Sequence, residues 1–268
     1  MKHFNRAYLT LIFGILYIPI VTLILFSFNA ENSTAVFTGF SLRWYKELFS
    51  SPETFEALRN TLILAISSAA LSTVIGTAAA AGIYRMKSKI AKSTIISVTN
   101  IPMMNPDIVT GMSMMLFFVA LVGILNIEYE TIGFTAMLIA HTTFCLPYVI
   151  LSVLPRIEDL GSTLTEAALD LGCTPLQSFF RVELPNILPG VISGFTMAFT
   201  LSLDDFVISY FVGSSNFQTL PLLIYSMTKK KVTPDMYALS TLIIVTVFAF
   251  LIISNVRSGR LRRKEGKK

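Results

Sequence analysis

Hydrophobic and polar residues alternate along this chain in long blocks. Six stretches of at least 20 residues contain no Lys, Arg, Asp or Glu: 7–30, 60–84, 108–127, 131–155, 184–203 and 236–256. A helix of about 20 apolar residues is long enough to cross the hydrocarbon core of a bilayer, which is roughly 30 Å thick. The pattern therefore predicts six transmembrane helices.

A seventh apolar stretch, 206–228, carries two interruptions. A Gly-Ser-Ser-Asn segment occupies 213–216, and Pro221 follows it. Gly, Ser, Asn and Pro are typical of turns and helix ends. We expect the beginning of this stretch to continue the fifth transmembrane helix, and the rest to form a re-entrant or surface helix.

The segments around the spans carry their own signals. Pro102 and Pro106 are expected to break the helix ahead of the third span, where broken backbone is tolerated if it is buried or lines a cavity. Loop 29–59 is rich in aromatic residues and predicts a short amphipathic helix at the membrane surface. Small residues recur every fourth position in the second span: Ser68, Ser72, Gly76 and Ala80. Such a stripe allows helices to pack closely.

Composition and charge indicate the class of protein and its orientation. Hydrophobic residues make up 53% of the 268 residues and charged residues 14%, which excludes a soluble domain of this length. With six spans and a cytoplasmic N-terminus, the cytoplasmic segments hold 15 of the 21 Lys and Arg residues. Positive charge favours the cytoplasmic side. We therefore predict an all-α, multi-pass membrane protein with a single transmembrane domain over 1–268 and both termini in the cytoplasm.

Seven of the basic residues lie in the C-terminal tail, from Arg257 to Lys268. A basic tail directly after a span is typical of an anchor that faces anionic lipid, and we expect no nucleic-acid partner. The predicted topology places Lys229, Lys230 and Lys231 on the outer side, which makes them the exception to the charge rule.

The polar segment between the fourth and fifth spans, 156–188, contains an ordered series of helix signals. Apolar residues recur at helical spacing on one face: Leu160, Leu164, Ala167, Ala168 and Leu171. Gly172 can then end this helix in the left-handed conformation. Thr174 and Pro175 are typical of the N-cap and first position of a second short helix, which Pro185 is expected to end. The series predicts a helix–Gly–helix elbow in the cytoplasm; the alternative is an ordinary amphipathic loop helix.

Three aspartates interrupt or border the hydrophobic stretches: Asp107, Asp204 and Asp205. A charge at the bilayer centre costs about 3 kcal/mol on insertion scales, so it usually faces a pore or a partner. Consecutive helical residues point about 100° apart, so one of Asp204 and Asp205 is expected to face a pore. We favour Asp204, because its helix face is the more continuously polar. That face also carries Ser193, Thr196 and Thr200.

Acidic residues in a pore suit a cationic solute. Tyr210, together with Phe206 and Phe211, can add cation–π contacts to such a solute. These residues extend the predicted substrate pathway beyond the aspartates.

The polar residues of the hydrophobic stretches can also have purely structural roles. Asp107 can cap the helix that follows the proline break. Asp204 or Asp205 can pair with a basic residue of a partner subunit. His141 is more often an interhelical hydrogen-bond partner than a proton relay.

The sequence lacks a catalytic motif and an ATP-binding motif. Neither the GxxxxGK[ST] phosphate loop nor an HExxH pair is present, and the two histidines, His3 and His141, are far apart. We therefore expect no enzyme activity, no metal and no cofactor in this chain, with energy supplied by a partner.

The elbow segment also matches a known motif. Residues 166–168, Gly172 and residues 182–185 match EAA-x3-G-x9-I-x-LP of ABC-importer permeases, with Val182 in place of Ile. Four further segments resemble the permease subunits of bacterial spermidine/putrescine ABC importers: 104–109, 141–147, 201–205 and 220–227. Asn105 stands where that family has Ser. The likeness extends over nearly the whole chain.

The resemblance implies the six-helix type I permease fold in the bacterial plasma (inner) membrane. It implies a complex with a sister permease, two copies of a cytosolic ATPase that binds ATP and Mg, and a lipid-tethered or periplasmic polyamine-binding protein. The residues expected to couple to the ATPase are Glu166, Ala167, Ala168, Gly172, Leu184 and Pro185. Those expected along the substrate pathway are Asp107, Asp204, Asp205 and Tyr210.

The predicted function is ATP-driven import of polyamines by alternating access. Within the same class, the solute could instead be ferric iron, thiamine or another small molecule, although the acidic residues argue against an anion. From a different class, the chain could be an ATP-independent secondary transporter or channel, for which the elbow would have no use.

Overall fold

The structure is a computed structural model that describes residues 2–31, 36–126, 128–214, 216–229 and 234–265. Within these residues the chain forms helices joined by short connections, with an isolated antiparallel bridge between Asn29 and Phe40. The helices are α1 Lys2–Phe26, α2 Arg43–Ser50, α3 Pro52–Tyr84, α4 Lys89–Met104, α5 Asp107–Leu125, α6 Tyr129–Leu160, α7 Thr163–Asp170, α8 Pro175–Ser178, α9 Leu184–Asp204, α10 Val207–Val212, α11 Leu220–Thr228 and α12 Pro234–Glu265, with a π-helical turn at Phe179–Glu183. Lys230, Lys231 and the last three residues of the basic tail lie outside the described residues.

Six helical segments of the described chain are long and apolar enough to cross a membrane. They are Tyr8–Phe26, Pro52–Tyr84, Asp107–Leu125, Ile132–Leu160, Pro175–Asp204 and Asp235–Ile252. Each contains one of the charge-free stretches or most of it, so the prediction of six spans is confirmed.

Helix α4 lies ahead of the third span and is longer than the proline pattern predicts. Its N-cap is Ser88, whose Oγ accepts the Ala91 N–H at 3.3 Å. Pro102 lies inside the last turn of this helix, and the break falls at Asn105, whose ψ of 142° is extended. A residue before proline is disfavoured in the helical region: Asn105 before Pro106 is extended, whereas Ile101 before Pro102 remains within α4. Pro106, and not Pro102, therefore separates α4 from α5.

The fifth span ends earlier than expected. Asp205 has an extended backbone, with ψ of 123°, and the chain re-enters a helix only at Val207. The expectation that the beginning of the stretch 206–228 continues this span is therefore wrong. The remainder of the stretch forms the separate nine-residue helix α11.

Contacts group the chain into two compact units, of which the first contains residues 1–59 and 219–248. Helix α2 buries Trp44 and Leu48, and Trp44 Nε1 donates to the Asn29 carbonyl at 2.7 Å. These two side chains pack against Ala57, Leu220, Leu223, Ala238 and Leu239. Phe49 of the same helix is exposed, so the predicted amphipathic helix is confirmed.

The second unit contains residues 60–218 and 249–268, and helices α3, α6 and α9 pack closely in it. A Cβ at Gly76 would lie 2.7 Å from Val149 Cγ1, and one at Gly194 would lie 3.2 Å from the same atom. The small residues in line with Gly76 are buried: Ser68, Ser72 and Ala80. The predicted close packing along this stripe is confirmed.

Candidate functional site: an exposed elbow and an acidic helix break

The predicted elbow begins with α7, which ends in a left-handed turn. Gly172 has a φ of +89°. The Cys173 N–H donates to the Ala168 carbonyl at 3.0 Å, and the Gly172 N–H donates to the Leu169 carbonyl at 2.9 Å. These are the two hydrogen bonds of a Schellman C-cap. A Cβ at Gly172 would meet no described atom within 4 Å, so glycine is favoured for its backbone conformation and not for space.

The second arm of the elbow starts where the sequence predicts it. Thr174 is the N-cap of α8: its Oγ1 accepts the Gln177 N–H at 3.3 Å, while Gln177 Oε1 accepts the Thr174 N–H at 3.0 Å. This reciprocal pair is a capping box, and Pro175 occupies the first turn beside it. The left-handed stop and the cap together end α7 and begin α8 within a few residues.

Pro185 does not end this second helix, contrary to the prediction. The helical run continues from α8 through the π-helical turn into α9, and Pro185 lies in the first turn of α9. The Leu184 N–H reaches back to the Phe179 carbonyl, which is the spacing of a π-helix. Proline is tolerated where the hydrogen-bond register changes, because the N–H that it lacks would have no regular partner there.

The elbow presents an apolar surface that the described residues do not cover. Among the predicted coupling residues, Glu166, Ala167, Gly172 and Pro185 are exposed, Leu184 is half-buried and Ala168 is buried. We define the elbow surface as Leu164, Glu166, Ala167, Leu171, Leu176 and Phe180, all exposed. Leu171 is the most open, at 87% exposure. The apolar face predicted from helical spacing therefore points largely away from this chain.

A buried acid next to the elbow has no counterpart among the predicted residues. Glu183, in the π-helical turn, is 4% exposed, and Arg85 Nη2 donates to both of its carboxylate oxygens at 2.7 Å. Thr165 of α7 donates to Glu183 Oε1 at 3.1 Å. The Arg85 guanidinium also lies over the Phe179 ring, 5.7 Å from its centre. We refer to Arg85, Thr165, Phe179 and Glu183 as the Glu183 cluster.

The two neighbouring aspartates of the fifth span face different surroundings. Asp204, the last residue of α9, is exposed. The side chain of Asp205 is only 7% exposed, and it accepts the Ile208 N–H at 3.2 Å and the Ser209 N–H at 2.8 Å. Asp205 therefore stabilises the N-terminus of α10, which leaves Asp204 as the exposed carboxylate of the pair.

Asp205 also belongs to a buried polar network centred on His141. His141 has no exposed surface; its Nε2 lies 3.4 Å from Asp205 Oδ2 and 3.2 Å from Ser209 Oγ, and its Nδ1 lies 2.8 Å from Ser202 Oγ. Ser68 Oγ donates to Ser202 Oγ at 2.8 Å. The network links α3, α6, α9 and α10. His141 is therefore an interhelical hydrogen-bond partner, which is the alternative to a proton relay given in the sequence analysis.

In the described part of the chain, no group of three or more His, Cys, Asp and Glu side chains is placed to bind a metal ion.

The remaining two residues of the predicted pathway lie on α5 and α10, which pack together. Asp107 is the first residue of α5 and is exposed. Tyr210 is 46% exposed, and its ring lies 5.6 Å from that of Phe206. A Cβ at Gly111, one turn after Asp107, would lie 2.9 Å from the Phe211 ring, so the start of α5 runs directly beside α10.

Comparison with known proteins places this architecture in a family. Residues 72–264 match the family described as the inner membrane component of binding-protein-dependent transport systems. This chain belongs to that family. It is therefore a multi-pass inner membrane transport subunit and not an enzyme, as the hydrophobic pattern and the elbow motif predict.

Several relatives in the family are similar over almost their whole length. The spermidine/putrescine transport system permease protein PotC of Haemophilus influenzae is 37% identical over 94% of this chain and 95% of its own length. The putrescine transport system permease protein PotI of Escherichia coli K12 is 37% identical over 93% of this chain and 90% of its own. PotC of Escherichia coli K12 is 36% identical over 93% of this chain and 92% of its own.

Solved structures show the same fold at low sequence identity. A bacterial ABC transporter for import of the acidic polysaccharide alginate superposes with a TM-score of 0.76 and 16% identity, covering 97% of this chain and 98% of that one. The inward-facing MetNI methionine ABC transporter superposes with a TM-score of 0.63 and 22% identity, covering 79% of this chain and 99% of that one. The importer-permease fold predicted from the sequence is confirmed.

Proposed function

We propose that this family member is the membrane-spanning permease subunit of an ATP-driven ABC importer that carries spermidine or putrescine into the cytoplasm. The observation that carries the proposal is the similarity over more than nine-tenths of the chain to permeases named for transport of these polyamines. The acidic residues beside the α9–α10 break agree with a polycationic solute.

The elbow surface is the proposed contact with the ATPase. Its exposed leucines would be costly to leave in water, and the rigid Schellman turn at Gly172 holds them in a fixed arrangement. The coupling residues are Glu166, Ala167 and Gly172 on the first arm and Leu184 and Pro185 where the second arm enters α9, with Ala168 supporting the first arm from inside. Two copies of the ATPase, which bind ATP and Mg, serve this chain and a sister permease.

Both termini are proposed to lie in the cytoplasm, on the side of the elbow. An extracytoplasmic polyamine-binding protein delivers the solute to the opposite side, and the specificity for spermidine or putrescine resides mainly in that protein. Closure of the ATPases moves the elbow as a lever, and the pore formed with the sister permease alternates between inward-facing and outward-facing forms.

Asp204 is the proposed transient site for an ammonium group of the solute. It is exposed, whereas Asp205 is held by two backbone N–H groups and His141. The exposed ring of Tyr210, on the short helix α10 that follows Asp204 and Asp205, can make a cation–π contact with the solute. Asp107 at the start of α5 adds a second exposed carboxylate. Exposed carboxylates bind a polycation weakly, which allows release.

Uptake by the purified complex tests this proposal. The chain is copurified with its sister permease and ATPase in proteoliposomes, and entry of radiolabelled spermidine and putrescine is measured with and without internal ATP and external binding protein. We expect uptake that requires both. Uptake driven by an ion gradient without ATP would indicate a secondary transporter. ATP hydrolysis stimulated by the binding protein without polyamine uptake would retain the importer class and exclude polyamines as the solute.

A further inference from the structure

The geometry points to Glu183 as a positioning residue that fixes the elbow to the end of α3, through Arg85 and Thr165, and thereby sets how efficiently ATP hydrolysis is coupled to transport. This inference rests on the proposed function. It assigns a role to a buried side chain that is not among the residues proposed to contact the ATPase or the solute.

Three separate segments meet at the carboxylate of Glu183. Arg85 follows the last residue of α3, Thr165 lies in the first turn of α7, and Glu183 itself ends the π-helical turn. Each contact is a direct hydrogen bond, at 2.7 Å from Arg85 and 3.1 Å from Thr165. The carboxylate therefore ties the first arm of the elbow and the start of the fifth span to the same point on α3.

Burial of Glu183 makes its ion pair with Arg85 important for the position of the elbow. The Glu183 side chain is 5% exposed, while that of Arg85 is 47% exposed. A buried carboxylate without its cationic partner is strongly unfavourable, so the elbow is held in the one arrangement that keeps Arg85 in reach. Stacking over the Phe179 ring limits the freedom of the guanidinium, which keeps it directed at Glu183.

Glu183 lies next to the point at which the helical run from α8 into α9 is easiest to bend. Leu184 makes a π-type hydrogen bond, and Pro185 next to it has no N–H to donate. Such positions are common sites of helix kinks. Glu183 precedes this weak point, so the elbow and the end of α3 form one body and bending is confined to the helix beyond it. A push on the elbow surface is then transmitted to α3 as well as to α9.

The chain offers a matched control in another interhelical ion pair. Lys92 Nζ of α4 lies 2.8 Å from Glu158 Oε1 of α6, with side chains 28% and 47% exposed. This pair also joins a cation to a glutamate at nearly the same distance, but it is more open to solvent and does not involve α7 or the π-helical turn. Glu158→Gln should therefore have little effect on the elbow.

Two measurements on the whole complex test the inference. The first is backbone hydrogen exchange over residues 163–173, followed by mass spectrometry, in wild type, Glu183→Gln and Glu158→Gln. The second is the number of polyamine molecules taken up per ATP hydrolysed in proteoliposomes. We expect Glu183→Gln to accelerate exchange and to lower the transport ratio by about fivefold or more, at the lower end of usual couplings between sites. Glu158→Gln should change neither.

Two further variants separate positioning from general loss of fold. Thr165→Val removes one hydrogen bond without changing side-chain shape and should give a smaller loss of the same kind. Arg85→Lys keeps the charge and should retain more of the transport ratio than Arg85→Gln. Unchanged exchange in Glu183→Gln would overturn the inference, and so would faster exchange with an unchanged transport ratio. If the wild-type complex moves no polyamine, the proposed solute is wrong, and the exchange data alone decide whether Glu183 positions the elbow.

Discussion

His141 and Asp205 face each other inside the second unit, with His141 Nε2 3.4 Å from Asp205 Oδ2. The imidazole is fully buried and the carboxylate almost so. Because the same carboxylate oxygen accepts the Ser209 N–H at 2.8 Å, the pair connects α6 to the N-terminus of α10. Asp205 thus supports the helix break on which the exposed Asp204 is presented.

Asp204→Asn is expected to lower polyamine uptake while the complex assembles and melts as the wild type does. The side chain is exposed at the end of α9, so removal of its charge takes away a site for an ammonium group without breaking a buried contact. Uptake in proteoliposomes and the melting temperature of the complex check this. Normal uptake in Asp204→Asn, Asp205→Asn and the double variant would remove both aspartates from the substrate pathway.

Asp205→Asn is expected to destabilise the protein. The carboxylate accepts two backbone N–H groups of α10, and a charge-assisted hydrogen bond contributes about 1.5–3 kcal/mol. Asparagine offers a single acceptor oxygen and no charge. Thermal unfolding of the detergent-solubilised complex should show a lower melting temperature than in Asp204→Asn. Equal melting temperatures would contradict the supporting role of Asp205.

His141→Phe should be the most destabilising change in the polar network. The imidazole bridges Ser202, Ser209 and Asp205, and phenylalanine would leave these buried groups short of a partner, at about 1–3 kcal/mol for each group left unsatisfied. Thr143→Val, two residues along α6 on its exposed side, serves as the control and should have little effect. A melting temperature for His141→Phe equal to that of the control would show that the network adds no stability.

Gly172→Ala should weaken ATPase attachment through the backbone. A residue with a Cβ loses about 1–2 kcal/mol in the left-handed conformation that Gly172 adopts, although the space around it is open. Gly82→Ala is the matched control, since Gly82 also has open space but lies within α3. ATPase retention during copurification should fall only in Gly172→Ala and recover in Gly172→Asn, because asparagine tolerates this conformation. Equal retention in the two alanine variants would exclude the left-handed turn as a requirement.

Gly76→Ala should disturb the packing of α3 on α6. The new Cβ would lie 2.7 Å from Val149 Cγ1, and overpacking of this kind typically costs about 1–3 kcal/mol. Val149→Ala in the same chain should restore part of the loss, which a double-mutant cycle of melting temperatures would measure. Strict additivity of the two substitutions would mean that the two residues do not meet.

The features predicted correctly depend on local patterns. Length and lack of charge identify the spans, and Gly172 and Thr174 identify the elbow because a left-handed stop and an N-cap need particular residue types. The prediction that Pro185 ends a helix is wrong because proline is also compatible with a change of hydrogen-bond register, which no residue pattern marks.

The features not predicted depend on contacts between distant parts of the chain. Arg85 and Glu183 are 98 residues apart, and His141 and Ser202 are 61 apart. Helical periodicity places Asp205 on a different face from Asp204 but cannot show that α9 ends at Asp204. The one available signal for Glu183 is its place directly before a charge-free stretch, next to a predicted coupling motif.

The π-helical turn has a rotational consequence for the fifth span. It accommodates one residue more than an α-helical turn, so α8 is rotated about the common axis by about 100° relative to an uninterrupted helix leading into α9. Loss of one residue at Phe179–Glu183 would preserve the helix and its hydrophobicity, yet it would change the orientation of the elbow relative to α9. The orientation of the elbow surface, the proposed contact with the ATPase, thus depends on a single additional residue.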